Sequence, residues 1–137
     1  MAVGEPNVRQ ICLIEDDADT EALVLRALRR LGSPSIEVVR DGADAVRYFD
    51  SNPMSPDLVL LDLKLPGIDG FEVLRHIRGS ESMRSTPVVI FSSEDAPLVR
   101  EKARKLGAND YAVKPTNYNE LVSVLRSLVS RYVTAVA

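Results

Sequence analysis

The chain has 137 residues, 45% of them hydrophobic and 27% charged, a balance that supports one folded core and excludes an intrinsically disordered chain. Its 17 basic and 20 acidic side chains leave a formal charge of −3, so no long-range field draws in a polyanion, and no nucleic-acid partner is expected. Apolar runs are broken by charge well short of the roughly 20 residues that a bilayer span needs, so no membrane partner is expected either.

Residues 1–8 contain Gly4, Glu5 and Pro6 and lack the apolar core of a secretion signal, which predicts a flexible N-terminus before a single domain over residues 9–132. Ile11 to Ile14 is the first strand. It holds the lone cysteine, Cys12, which has no internal disulfide partner and fits a reducing, cytoplasmic setting. Val24, Ala27, Leu28 and Leu31 follow at the spacing of one buried helical stripe, with Gly32 behind them as a C-terminal stop. Ile36 to Val39 is the second strand, and Asp41 stands where the next helix needs an N-cap.

Leu58 to Leu61 is the third strand, apolar at every position, and Pro66-Gly67 reads as a turn after it. A third helix ends near Gly79, and His76 sits in its last turn, where a cation suits the helix dipole. Val88 to Phe91 is the fourth strand. Arg100, Lys102, Arg104 and Lys105 mark a charged face of the helix that follows, closed by Gly107. Tyr111 to Val113 is the fifth strand. Asn117, with Glu120 three residues on, opens a last helix striped by Leu121, Val124, Leu125 and Leu128. Residues 133–137 form a C-terminal tail.

Strands alternating with helices predict an α/β fold, (βα)5, with a doubly wound five-stranded parallel sheet. In such a sheet ligands bind beyond the carboxyl ends of the strands. The residues just past those ends are Glu15-Asp16-Asp17, Asp62, Ser92-Ser93 and Lys114-Pro115. Taken singly each has a bland reading, since an acidic run is often a solvated helix start. Brought together, the carboxylates would repel one another unless a cation sat among them. Carboxylate, carbonyl and water are hard ligands, so Mg2+ is the expected cofactor. Phosphoryl transfer to a carboxylate needs a nucleophile, a metal and further donors for the phosphate oxygens, which Asp62, Mg2+, Lys114 and Ser92 supply.

From Arg9 to Tyr132 the chain resembles the receiver domains of two-component response regulators. The likeness rests on CLIEDD, LVLLDLKLPGIDGFEVL, VVIFSS and GANDYAVKP. It implies a flavodoxin-like receiver fold with Asp62 as phosphoacceptor and with metal ligands at Asp16, Asp62 and the Lys64 backbone carbonyl, Glu15 acting mainly through water. It places the conserved lysine at Lys114, the switch hydroxyl at Ser92 and a rotating aromatic at Tyr111, and makes Lys114-Pro115 a candidate cis peptide. Lys64 and Glu94, two residues past Asp62 and Ser92, would flank the path of attacking water and tune the phosphate lifetime.

The resemblance further implies a phosphoacceptor signalling protein rather than an enzyme, one that assists its own phosphorylation and dephosphorylation. An aspartate-nucleophile phosphatase would carry a second aspartate where Lys64 stands. It implies a cytoplasmic, bacterial setting for this chain, with a sensor histidine kinase or histidine phosphotransfer protein as the donor. Output would pass to a downstream protein through the face of helix four, strand five and helix five, or onward in a phosphorelay. The segment before the third strand and the tail Arg131-Tyr132-Val133-Thr134 are similar to small stand-alone receivers paired with bacterial phytochrome kinases. Tyr132, Val133 and Val136 would then serve a homodimer, against a monomer in which the last helix gains one more turn. The alternative from another class is a docking adaptor that uses the receiver fold without phosphorylation.

Overall fold

In the computed structural model, which describes residues 10–32, 35–51 and 55–133, the two fully buried strands are β3 (Leu58–Leu61) and β4 (Val88–Ser92). They lie inside a parallel sheet of order β2-β1-β3-β4-β5, whose other strands are β1 (Gln10–Ile14), β2 (Ser35–Val39) and β5 (Asp110–Val113). The helices are α1 (Ala18–Arg30), α2 (Gly42–Ser51), α3 (Gly70–Gly79), α4 (Pro97–Lys105) and α5 (Tyr118–Tyr132). The doubly wound (βα)5 arrangement is therefore as expected.

Strand periodicity sorts the apolar residues onto two faces. Cys12, Ile14, Val59, Leu61, Val88 and Ile90 pack with α2 and α3 through Phe49, Val73, Leu74 and Ile77. Ile11, Leu13, Leu58, Leu60, Val89 and Phe91 pack with α1 and α5 through Val24, Leu28, Leu121, Leu125 and Leu128. Full burial of one such side chain stabilises the fold by about 1.5–3 kcal/mol. In α5 the fully buried stripe is Leu121, Val122, Leu125 and Leu128. Val124, expected in it, is only partly buried, and Val122 is buried in its place.

The helix ends follow local chemistry. Asp17, Asp69 and Asn117 each accept a bond from the backbone N–H three residues on, and Asp41 does the same for Asp44 at 2.7 Å, satisfying donors that the first turn leaves open. Asp17 is thus a cap rather than a further member of the acidic cluster. Gly32 and Gly107 take φ of 81° and 102°, as expected of left-handed helix stops. Gly79 differs: it is the last residue of α3, and Ser80 behind it is the C-cap in extended conformation. Val133, read as part of the tail, is buried against the core beside α5, which withdraws it from a dimer contact. Val136 and residues 1–8 lie outside the described residues.

Candidate functional site

The parallel ladder brings the expected residues to one edge. Ile14 pairs with Leu61, Leu61 with Ile90, and Ser92 with Val113, so the residues after β1 and β3 emerge side by side. Backbone bonds extend the register one step further: Glu15 N–H to the Val39 carbonyl (2.9 Å), Asp62 N–H to that of Ile14 (3.0 Å) and Lys114 N–H to that of Ser92 (2.9 Å). The side chains that follow are therefore held by sheet geometry rather than by loops.

Lys114 reaches across this edge. Its Nζ lies 2.8 Å from Glu15 Oε1 and 3.1 Å from Asp62 Oδ2. Asp62 and Glu15 are 5% and 1% exposed, and a buried carboxylate needs such a partner. Burial, with the nearby Asp62 charge adding to it, pushes the Glu15 carboxyl up to about 7 despite the Lys114 ammonium. Burial pulls the Lys114 ammonium down, but Glu15 and Asp62 outweigh it, and the net shift is upward. Asp62 Oδ1 also accepts from the Lys64 N–H at 3.3 Å.

Carboxylate oxygens of Glu15, Asp16 and Asp62 lie within 4.8 Å of one another, with Asp16 exposed and the other two buried. Three ionised carboxylates against one ammonium leave a charge of about −2 that a dication would neutralise, and the donor set is all oxygen. The residues present therefore fit Mg2+. Glu15 belongs to this group as closely as Asp16 and Asp62.

Ser92 is fully buried, and its Oγ accepts from the Glu94 N–H at 3.2 Å. The Tyr111 hydroxyl donates to the Glu94 carbonyl at 2.7 Å. Lys64 Nζ lies 4.0 Å from Glu94 Oε1, with the two side chains 68% and 40% exposed. The Lys114-Pro115 bond is trans, since no cis peptide occurs among the described residues, and this corrects the cis expectation. A tertiary amide prefers trans by about 0.5–1 kcal/mol, and Lys114 reaches both carboxylates from the trans bond. His76 forms no part of the site; its Nε2 lies 2.8 Å from Asp50 Oδ1, between α3 and α2.

Two contributors were not singled out from sequence. A Cβ on Gly70 would stand 2.3 Å from the Asp62 carbonyl oxygen and 2.6 Å from Leu63 Cα, so this glycine lets α3 begin directly under Asp62. The signal was in GIDGFEVL, where a glycine opens a helix instead of closing it. Arg100 covers the Tyr111 ring, its Cζ 4.8 Å from the centroid; in sequence it was one charge of a basic run.

The description "Response regulator receiver domain" matches residues 11–126. The chain is 36% identical over 122 residues to the transcriptional regulatory protein TrcR of Mycobacterium tuberculosis, covering 89% of this chain and 46% of that one. It thus spans about half the length of that curated relative. Among solved structures it resembles the phosphorylated cyanobacterial phytochrome response regulator RcpA, at 30% identity and a TM-score of 0.86 over 94% of this chain and 96% of that one. It also resembles the receiver domain of the sensor histidine kinase PA1611 of Pseudomonas aeruginosa PAO1, which has magnesium in its active-site cleft, at 30% identity and a TM-score of 0.77 over 93% and 98%. With the sheet, the acidic edge and the bridging lysine in agreement, the chain belongs to the response regulator receiver domain family.

Proposed function

We propose that this chain acts as a receiver that takes a phosphoryl group on Asp62 from a histidine kinase or histidine phosphotransfer protein. The observation that carries the reading is Lys114 Nζ, at 2.8 Å from Glu15 and 3.1 Å from Asp62 on a shared strand edge. One Asp62 carboxylate oxygen attacks phosphorus, the bond from phosphorus to the donor's imidazole nitrogen breaks, and the imidazole leaves with that electron pair and takes up a proton. Glu15, Asp16, Asp62 and the Lys64 carbonyl would hold Mg2+, which when bound would supply positive charge for the phosphoryl oxygens. Lys114 then exchanges its bond to Asp62 for one to a phosphoryl oxygen, and Ser92 Oγ, released from the Glu94 N–H, donates to another.

The readout follows from the neighbours of Ser92. Its movement draws on the Glu94 loop, to which Tyr111 is bonded, so the face of α4, β5 and α5 senses the charge at Asp62. Leu98 of α4 is 85% exposed, and an open pocket of about 580 Å3 lies between α4 and β5, features suited to a downstream protein. In this reading the Lys64–Glu94 pair, 4.0 Å apart, flanks the path of attacking water and slows hydrolysis. As an exposed pair it contributes only about 0–1 kcal/mol to stability, so its effect is read in the dephosphorylation rate, which Lys64→Ala with Glu94→Ala raises.

The decisive experiment incubates the protein with Mg2+ and a small phosphodonor such as acetyl phosphate. Wild type is expected to gain one acid-stable, base-labile phosphoryl group and Asp62→Asn none. Equal labelling of the two would remove Asp62 as acceptor, and an absence of labelling in both would favour a docking adaptor.

A further inference from the structure

We propose that Arg100 is a positioning residue for Tyr111, a latch that holds the ring where its hydroxyl bonds the loop between β4 and α4. The inference rests on the reading of Tyr111 as the switch aromatic and deepens it. Three contacts define the latch. The Arg100 guanidinium lies 4.8 Å from the Tyr111 ring centroid, and its Nη1 donates to Asp95 Oδ1 at 2.9 Å. The Tyr111 hydroxyl in turn donates to the Glu94 carbonyl at 2.7 Å. One face of the ring region packs against the core while Arg100 covers it from α4, so β5, the loop and the first turns of α4 are joined through one aromatic.

The attachment of α4 makes this contact consequential. Its N-cap, Ala96, offers no side-chain bond to the first turn, and Leu98 points into solvent. Its far end is fastened differently: Arg78 donates to the Gly107 carbonyl at 2.9 Å and to Asn109 Oδ1 at 2.8 Å. The open pocket between α4 and β5 has Arg100, Ala103, Ala108 and Tyr111 in its walls, which leaves the helix room to swing about its pinned C-terminal end. An exposed Arg–Asp pair alone does little. Planar stacking of the guanidinium on a π-face adds a directional restraint that an ammonium reproduces poorly. Arg100 therefore biases the ring toward this Glu94-bonded arrangement before any phosphoryl group arrives, and the charge at Asp62 has less of the conformational change left to drive.

The test labels the protein with 3-fluorotyrosine and follows the fluorine signal assigned by Tyr111→Phe. Wild type, Arg100→Ala, Arg100→Lys and Asp95→Ala are compared with and without Mg2+ and beryllofluoride, a phosphoryl mimic. Without additive, the wild-type signal is expected close to its beryllofluoride-bound position. Arg100→Ala should move it away, with a change in the population ratio of about two- to fivefold; Arg100→Lys should be intermediate, and beryllofluoride should restore the signal. Urea midpoints within error of wild type confirm that each variant is folded. A Tyr111 signal that coincides in wild type and Arg100→Ala before addition overturns the latch. A signal that Arg100→Ala moves and beryllofluoride fails to restore keeps the latch and removes Tyr111 as the switch.

Discussion

At the scale of single residues, the site is a problem of buried charge resolved by one lysine. Glu15, at 1% exposure, is driven up to about 7 by burial, with Asp62 adding to the shift and Lys114 opposing it. Its folded value thus lies above the ordinary 4.5, so the folded state binds more protons than the unfolded one between those two values. Without metal, stability from this group is present below about 4.5 and is lost as pH rises towards about 7. Urea unfolding in a chelator should show the midpoint falling between pH 5 and pH 7.5, and Glu15→Gln should flatten that slope; an equal slope in the variant would place the titration elsewhere. Lys114→Met leaves Glu15 and Asp62 facing each other uncompensated, so at pH 7.5 in chelator it should unfold at clearly lower urea than wild type. Added Mg2+ should recover part of that loss, and phosphoryl transfer should remain impaired.

At the scale of elements, two contacts hold the helices to the sheet where no hydrophobic pattern points to them. Gly70 lets the first turn of α3 pass within contact of the Asp62 and Leu63 backbone. Gly70→Ala places a methyl against backbone that has no rotamer to yield, so a loss of about 1–3 kcal/mol is expected in urea unfolding, together with slower labelling of Asp62. Arg78 works at the opposite edge. It donates to the carbonyls of Gly107, Arg84 and Thr86 and to Asn109 Oδ1, tying the end of α3 to the starts of β4 and β5. Arg78→Met removes charge-assisted bonds to partly buried carbonyls and should cost at least about 1.5–3 kcal/mol. Because the site lies at the other end of the strands, the labelling rate of the folded variant should stay near wild type.

At the scale of the whole molecule, charge and ligand binding are linked to folding. An ion that binds the assembled edge and not the unfolded chain stabilises by mass action, about 2.7 kcal/mol at a hundred times its Kd. Thermal unfolding should therefore shift upward with Mg2+ in wild type. The shift should shrink in Asp16→Asn, which removes one ligand while leaving the lysine bridge in place; an undiminished shift would mean that the ion binds elsewhere.

Much of this protein was legible in its sequence. The five strand cores, the site residues at their carboxyl ends and the caps Asp41 and Asn117 are set by short-range chemistry, namely side-chain period, burial demand and competition for backbone N–H groups. Four of the five apolar strand runs understated their elements by one residue, because Gln10, Ser35, Ser92 and Asp110 join the ladder through backbone bonds that a polar side chain does not reveal, whereas Leu58 to Leu61 matches β3 end to end. Strand order, the Gly70 approach, the Arg78 ties and the Arg100 stack were not legible. Each joins residues of different elements, from Gly70 against Asp62 and Arg100 over Tyr111 to Arg78 bonded to Asn109, and side-chain period does not record which neighbouring element will lie beside a side chain. The sequence by itself determined which polar groups follow the strands and that they share an edge of the sheet. Only the tertiary structure decided that Lys114 bridges Glu15 and Asp62 from a trans bond and that Arg100 closes over Tyr111, because those outcomes depend on distances that exist only once the sheet is assembled.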